Sequence, residues 1–332
     1  MLFFVVCACF ALFPDKVLSG AQNGLALCIN AVIPSLLPFM LVSSCIIKSG
    51  FSVPLGRLTG KILTPLTGIS EDGCICFITG LLGGYGAGAR AVYESYAAKR
   101  ISKKEAQRLL SFCNNAGPLF VMGTIGVGFF SDKSIGVGLF ITQVLTALIC
   151  ASVVSERREN RRESLKDGWD FYKKNKPSLG ELITSSAIDS GSAIINACVF
   201  VITFSAILEI LPFERYSLLA GFLEVTRGSA ELSRRGIDAL PLISALIAWG
   251  GMSVHFQASA LCRGEFDMKM YYAVRLFSSA VAYAITKAAG TDIYMLMFLS
   301  VILAAILIIF YFISVIFREY IRQHGFRQRR HS

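Results

Sequence analysis

Charge is scarce in this chain of 332 residues: Asp, Glu, Lys and Arg together supply 16%, against 54% apolar residues. Soluble domains carry more charge and do not hold repeated uncharged runs of about 20 residues, so the scarcity points to a polytopic helical membrane protein. The mean hydropathy of +0.61 agrees. Catalytic signatures are also missing. No metalloprotease HExxH, P-loop GxxxxGK[ST] or nucleophile-elbow GxSxG occurs, so hydrolysis and ATP use have no local support, and the chain is read as a non-enzyme with no cofactor and no metal. No basic residue precedes the first apolar run, which disfavours a signal peptide over a short first span at 1–13. Matching His or Cys clusters are absent around Cys7/Cys9 and Cys74/Cys76, so the ten scattered cysteines are expected to be small buried hydrophobes.

What charge there is sits in a few places. The net +10 concentrates between apolar runs, the pattern of cytoplasmic loops, and a nucleic-acid surface is the weaker reading. A span at 25–47 contains Pro34 and Pro38, so it should be kinked or broken. Lys48, Arg57 and Lys61 mark the next segment as cytoplasmic. Residues 74–82 are too short to cross, and the chain returns through 91–98 to Lys99, Arg100, Lys103, Lys104 and Arg108. This predicts a re-entrant hairpin. Crossings follow at 109–130 and 134–154, joined by a tight outer turn at 131–133.

The basic run 156–178 predicts a cytoplasmic linker between two halves, 1–155 and 179–317, with a basic cytoplasmic tail at 318–332. In the second half, crossings are expected at 182–208, 241–262, 271–288 and 293–317. The segment 212–216 should turn outside, and a second hairpin should lie at 218–236. The fold class is therefore all-α and polytopic, with about eight crossings and two re-entrant hairpins.

The halves also resemble each other. GLLGGYGAGARAVYES (80–95) matches GFLEVTRGSAELSRRG (221–236), and LLSFCNNAGPLFVMG (109–123) matches ISALIAWGGMSVHFQ (243–257). An odd number of crossings separates them, which predicts an inverted-topology repeat with a substrate site at the midplane between discontinuous helices. Arg234 and Arg235 fall on the outer side in this topology, against the charge rule. An old duplication with no transport role gives the same pattern.

Glycine and proline breaks inside a bilayer line a polar cavity or pack against protein. Both readings stay open for Gly83 to Gly88 and for Asn114, Asn115, Gly117 and Pro118. Arg90 and Arg227 occupy equivalent hairpin breaks, where each guanidinium either grips a carboxylate or marks a helix end. Asn114, Asn115 and the helix start near Gly117 suit an anion, or else helix–helix hydrogen bonding. Gly250, Gly251, Ser253 and His255 form the matching break of the second half, with His255 either packed or in contact with substrate. Asp189 lies on a polar stripe with Ser185, Ser186 and Asn196. Its buried charge should be paired, ion-binding or protonated, and it is the candidate ion-coupling residue. Glu224 and Glu231 are expected to face water or an arginine.

The motifs IPSLLPF (33–39), GLLGGYGAGAR (80–90), LSFCNNAGPLFVMGTIGVG (110–128) and WGGMSVHFQ (249–257) together resemble the YlbJ-type sporulation integral membrane proteins, within the wider group that has nucleoside-recognition gate domains. The resemblance spans about residues 20–317, and SF-x-NN-x-GPLF is its most specific part. The family's glycine motif often has proline after the tyrosine, where Gly86 and Ala87 stand here. The resemblance implies a multi-pass protein of the mother-cell-derived outer forespore membrane that moves dipicolinic acid, a small organic anion. A nucleoside-like permease and a non-transporting scaffold of the sporulation machinery remain alternatives. Implied partners are the anion and the lipid bilayer. A homo-oligomer or other sporulation membrane proteins are left open.

Overall fold

The computed structural model describes residues 2–154, 177–210 and 217–289, and every regular element among them is helical. The linker, the outer turn at 212–216, the last expected span and the basic tail lie outside the described residues. The chain is an integral membrane protein. Lys133–Val153, Leu179–Ile210 and Ile237–Leu261 are each long and apolar enough to cross a bilayer, and Pro14–Val32 with Leu36–Ile46 makes a fourth span if that pair, bent by 51°, is counted as one.

Helix α1 (Leu2–Leu12) has 11 residues, about 16 Å, roughly half of what a hydrocarbon core requires. Helix α2 (Pro14–Leu27) continues through a π-helical turn, Cys28–Val32, into α3 (Ile33–Lys48). The bend therefore falls at the prolines, as the sequence leads one to expect. The Lys48–Lys61 region forms α4 (Ser52–Thr67), an amphipathic helix beside α5 (Glu71–Gly83).

Helices α5 and α6 (Ala87–Ala97) make the first hairpin, of 13 and 11 residues, both too short to cross. Its base is built by capping. Ser70 Oγ accepts from Gly73 N–H at 3.1 Å, Ser102 Oγ accepts from Glu105 N–H at 3.2 Å, and the Glu105 carboxylate accepts from Ser70 N–H at 2.7 Å. Helix α7 (Lys103–Cys113) stops at Asn114, and the chain resumes as a π-helical segment, Leu119–Phe129. The stretch expected to cross at 109–130 is thus two 11-residue pieces around a break. Helix α8 (Lys133–Val153) follows, with Asp132 at its N-cap.

Helix α9 (Leu179–Ile210) is 32 residues without interruption, about 48 Å. It packs along α2 and α3 and leaves Ile188, Ile195 and Val199 more than half exposed, an apolar face suited to lipid. The second hairpin is α10 (Ser217–Leu223) and α11 (Val225–Ser233). Helices α12 (Leu240–Trp249) and α13 (Gly251–Leu261) meet at Gly250, which holds φ +92°, a left-handed conformation that lets the chain break without a Cβ clash. Helix α14 (Lys269–Ala289) packs on α7, α8 and α12. Order and breaks in 217–289 follow those in 71–153.

Candidate functional site

The helix breaks converge. A cavity of about 270 Å³ is lined by Tyr85 and Gly86 from the first hairpin tip, Glu224 and Thr226 from the second, and Ser253 and Gln257 from α13. Ala193, Asn196 and Val201, near the middle of α9, close another wall. A smaller cavity of about 50 Å³ adjoins it through Met40, Gly86, Ala193 and Leu261, and holds Lys48, Arg90, Glu94 and Asp189. An open crevice of about 1220 Å³ contains Arg227, Glu231, Arg234 and Arg235 with Asn23 and Asn30.

Arg90 and Arg227 have matching partners. Arg90 meets Glu94 four residues on at 2.8 Å and the Asp189 carboxylate at 2.8 Å, and it donates to the Asp189 carbonyl at 3.5 Å. Arg227 meets Glu231 four residues on at 3.1 Å and the Glu209 carboxylate at 2.8 Å, and it donates to the Ser205 carbonyl at 3.2 Å. Both guanidiniums are thus anchored to α9, at acids twenty positions apart (209 − 189), about 30 Å along the axis. They do not converge on one ligand, because each is held at a different level of the same helix. Asp189 also accepts an ion pair from Lys48 at 2.5 Å. Two cations satisfy this carboxylate, which accounts for a charge at that depth.

Asn114 and Asn115 serve as a joint. Asn114 Oδ1 accepts from Gly86 N–H at 2.8 Å and its Nδ2 donates to the Tyr271 hydroxyl at 3.1 Å. Asn115 Nδ2 donates to the Phe112 carbonyl at 2.7 Å, and its Oδ1 accepts from Arg275 at 3.4 Å. Neither lines the central cavity. Gly117 lies against Gly84, so the α7 break and the first hairpin tip touch backbone to backbone. Gly251 packs on Glu224 at the second tip in the same way. His255 is fully buried, its ring centroid 4.2 Å from Trp249 and 5.0 Å from Tyr271, with no hydrogen-bond partner for either ring nitrogen among the described residues. Of the residues proposed from the sequence to bind substrate, Ser253 lines the central cavity, and so do Gly86, Asn196 and Glu224, which were noted there for other reasons.

Three groups in or beside the cavity have roles that the sequence did not suggest. Glu231 pairs with an arginine as expected, but Glu224 does neither of the things expected of it. It is 1% exposed, caps α11 by accepting from Thr226 N–H at 3.0 Å and Arg227 N–H at 2.6 Å, and borders the cavity. A carboxylate just before a short small-residue helix is an N-cap signal that could have been read. Tyr85 donates to the Ile247 carbonyl at 2.6 Å. Arg275, 1% exposed, donates to the Trp249 carbonyl and Asn115 at 3.4 Å each, bridging the breaks of the two halves.

No family model matches the chain, and no solved structure matches it significantly. It is similar to the sporulation integral membrane protein YlbJ of Bacillus subtilis (strain 168), 25% identical over 311 residues that cover 81% of this chain and 76% of that protein. The likeness runs through most of both chains.

Proposed function

We propose that the protein is a secondary transporter or permeation pathway for a small organic acid, with dipicolinate, which the family resemblance implies, as its substrate during spore formation. The observation that carries this reading is the 270 Å³ cavity where the two hairpin tips, the α12–α13 break and the middle of α9 meet. Discontinuous helices around a midplane pocket are the arrangement by which inverted-repeat transporters hold substrate. The matched order of hairpin, broken span and final helix in 71–153 and 217–289 supports such a repeat, with about eight crossings once the undescribed 293–317 segment is included. The Lys48–Asp189–Arg90 and Glu209–Arg227–Glu231 clusters lie toward opposite ends of α9 and serve as inner and outer closures. Arg234 and Arg235 make the outer crevice basic, which suits the exit or capture of an anion. The outer forespore membrane is the location that goes with this reading.

The test is uptake. Vesicles reconstituted with the purified protein should accumulate labelled dipicolinate above empty vesicles, and equal uptake would remove the proposal. One observation favours a second reading. The central cavity offers a carboxylate, amides and hydroxyls but no Lys or Arg, a set that suits a neutral polar ligand such as a nucleoside. Competition separates the two, since a nucleoside permease would be inhibited by excess nucleoside and not by dipicolinate.

A further inference from the structure

The cavity's chemistry poses a problem that the transport reading must solve. Its lining contains one carboxylate, Glu224, and no Lys or Arg. Glu224 is 1% exposed, and its oxygens are met by the N–H groups of Thr226 and Arg227 at the start of α11. The Arg227 guanidinium is turned to Glu209 and Glu231, with which it forms its ion pairs. An organic acid entering this space would place like charges together in a desolvated site, and one of them must then be neutralised.

We propose that Glu224 is the proton-coupling group of this pocket: an acidic substrate binds when the Glu224 carboxyl carries a proton, and the two cross together. This rests on the transport reading above and adds the coupled ion and the residue that bears it. The step balances simply. On the loading side a hydronium ion delivers its proton to a Glu224 oxygen, forming the O–H bond and leaving water. On the release side that bond breaks, the proton passes to water, and the anion departs. No oxidant or further reactant is involved.

The surroundings leave Glu224 as the group that can do this. Its own helix presents Arg227, already paired. The first hairpin tip presents Tyr85, whose hydroxyl is committed to Ile247, and the π turn after α2 presents the thiol Cys28, which contacts the Cys198 carbonyl. Helix α9 offers Asn196 and α13 offers Ser253 and Gln257, none of which titrates. From α12, Trp249 donates to Phe222, and His255 of α13 is enclosed by aromatic rings behind it. Asp189 belongs to the adjoining smaller cavity and already meets two cations.

Calorimetry of dipicolinate binding to the wild-type protein, in buffers of different ionisation enthalpy, counts protons taken up on binding. At a pH where dipicolinate is fully ionised, about one proton should be taken up per ligand, and affinity should rise as pH falls. Binding without proton uptake would overturn the proposal while leaving transport intact. Glu224→Gln, monodisperse and folded, should bind with no proton uptake, and proton-gradient-driven accumulation in vesicles should fall by about tenfold or more. Glu224→Asp should restore the pH dependence. Wild-type proton uptake that persists unchanged in Glu224→Gln would place the coupling group elsewhere and sink the idea. If the wild type neither binds nor moves dipicolinate, the transport reading has failed and this inference falls with it.

Discussion

The phenol of Tyr85 donates to the carbonyl of Ile247 at 2.6 Å, fastening the first hairpin tip to the last turn of α12. That carbonyl is one of the four at a helix end with no partner inside the helix, and a side chain from the other half supplies one. Tyr85→Phe should therefore lower stability by about 1–3 kcal/mol through a buried, unsatisfied acceptor. Thermal unfolding in detergent measures this, and an unchanged midpoint would show that the two halves are not fastened here.

Arg90 and Arg227 offer a test of independence. Sites more than about 10 Å apart with no shared partner contribute additively, within about 0.3–0.5 kcal/mol. The effects of Arg90→Gln and Arg227→Gln on dipicolinate affinity should therefore add in the double variant. A clear departure from additivity would mean that one ligand bridges both, against the separation along α9.

Asp189→Asn removes the carboxylate between Lys48 and Arg90. These side chains are about a quarter to a third exposed, so the stability loss should be only about 0.5–1.5 kcal/mol. Proton uptake on dipicolinate binding should persist. If it disappears in this variant and not in Glu224→Gln, Asp189 is the coupling residue instead.

Two glycines separate packing from propensity. A Cβ on Gly88 would overlap the Cys113 carbonyl, and Gly80 faces the same atom from α5. Gly88→Val should leave little folded protein in size-exclusion analysis, because backbone cannot yield as a flexible side chain does. Gly191, on α9, has nothing within 4 Å of a built Cβ. Gly191→Ala should be neutral or stabilising by up to about 1 kcal/mol.

The basic runs at 99–108, 156–178 and 318–330 should share the cytoplasmic side. Single cysteines placed there in a cysteine-free background should resist an impermeant thiol reagent in intact cells. Labelling of the linker from outside would invert the topology.

Much of the architecture was legible because bilayers leave few options. Uncharged runs announce spans, and the glycine breaks at 83–88 and 250–251 and the Asn–Gly–Pro break at 114–118 do mark where helices stop. The site was less legible, for a physical reason. Arg90, Asn114 and His255 stand out as polar residues in apolar surroundings, yet that property belongs equally to groups that hold helices together. Only three-dimensional partners show that Asn114 ties a hairpin tip to Tyr271, or that Arg90 grips α9. Glu224 was hidden by the opposite effect. In the string EVTRG it stands three residues before an arginine and reads as an ordinary exposed pair, whereas the guanidinium turns away toward Glu209.

Helical phase decides how the grips on α9 can trade with one another. Asp189 and Glu209 are twenty residues apart, and at about 100° per residue they point in directions that differ by about 200°. The two hairpins therefore clasp the helix from nearly opposite sides at two levels about 30 Å apart. Tilting it about Val199 by about 5° carries each acid, about 15 Å from the pivot, by about 1.3 Å, and moves both away from their arginines or both toward them. Sliding it sideways does the reverse, drawing one 2.8 Å pair together as the other parts. A mechanism that shuts one face while freeing the other must then displace this helix bodily, and a rocking rod would release both latches at once.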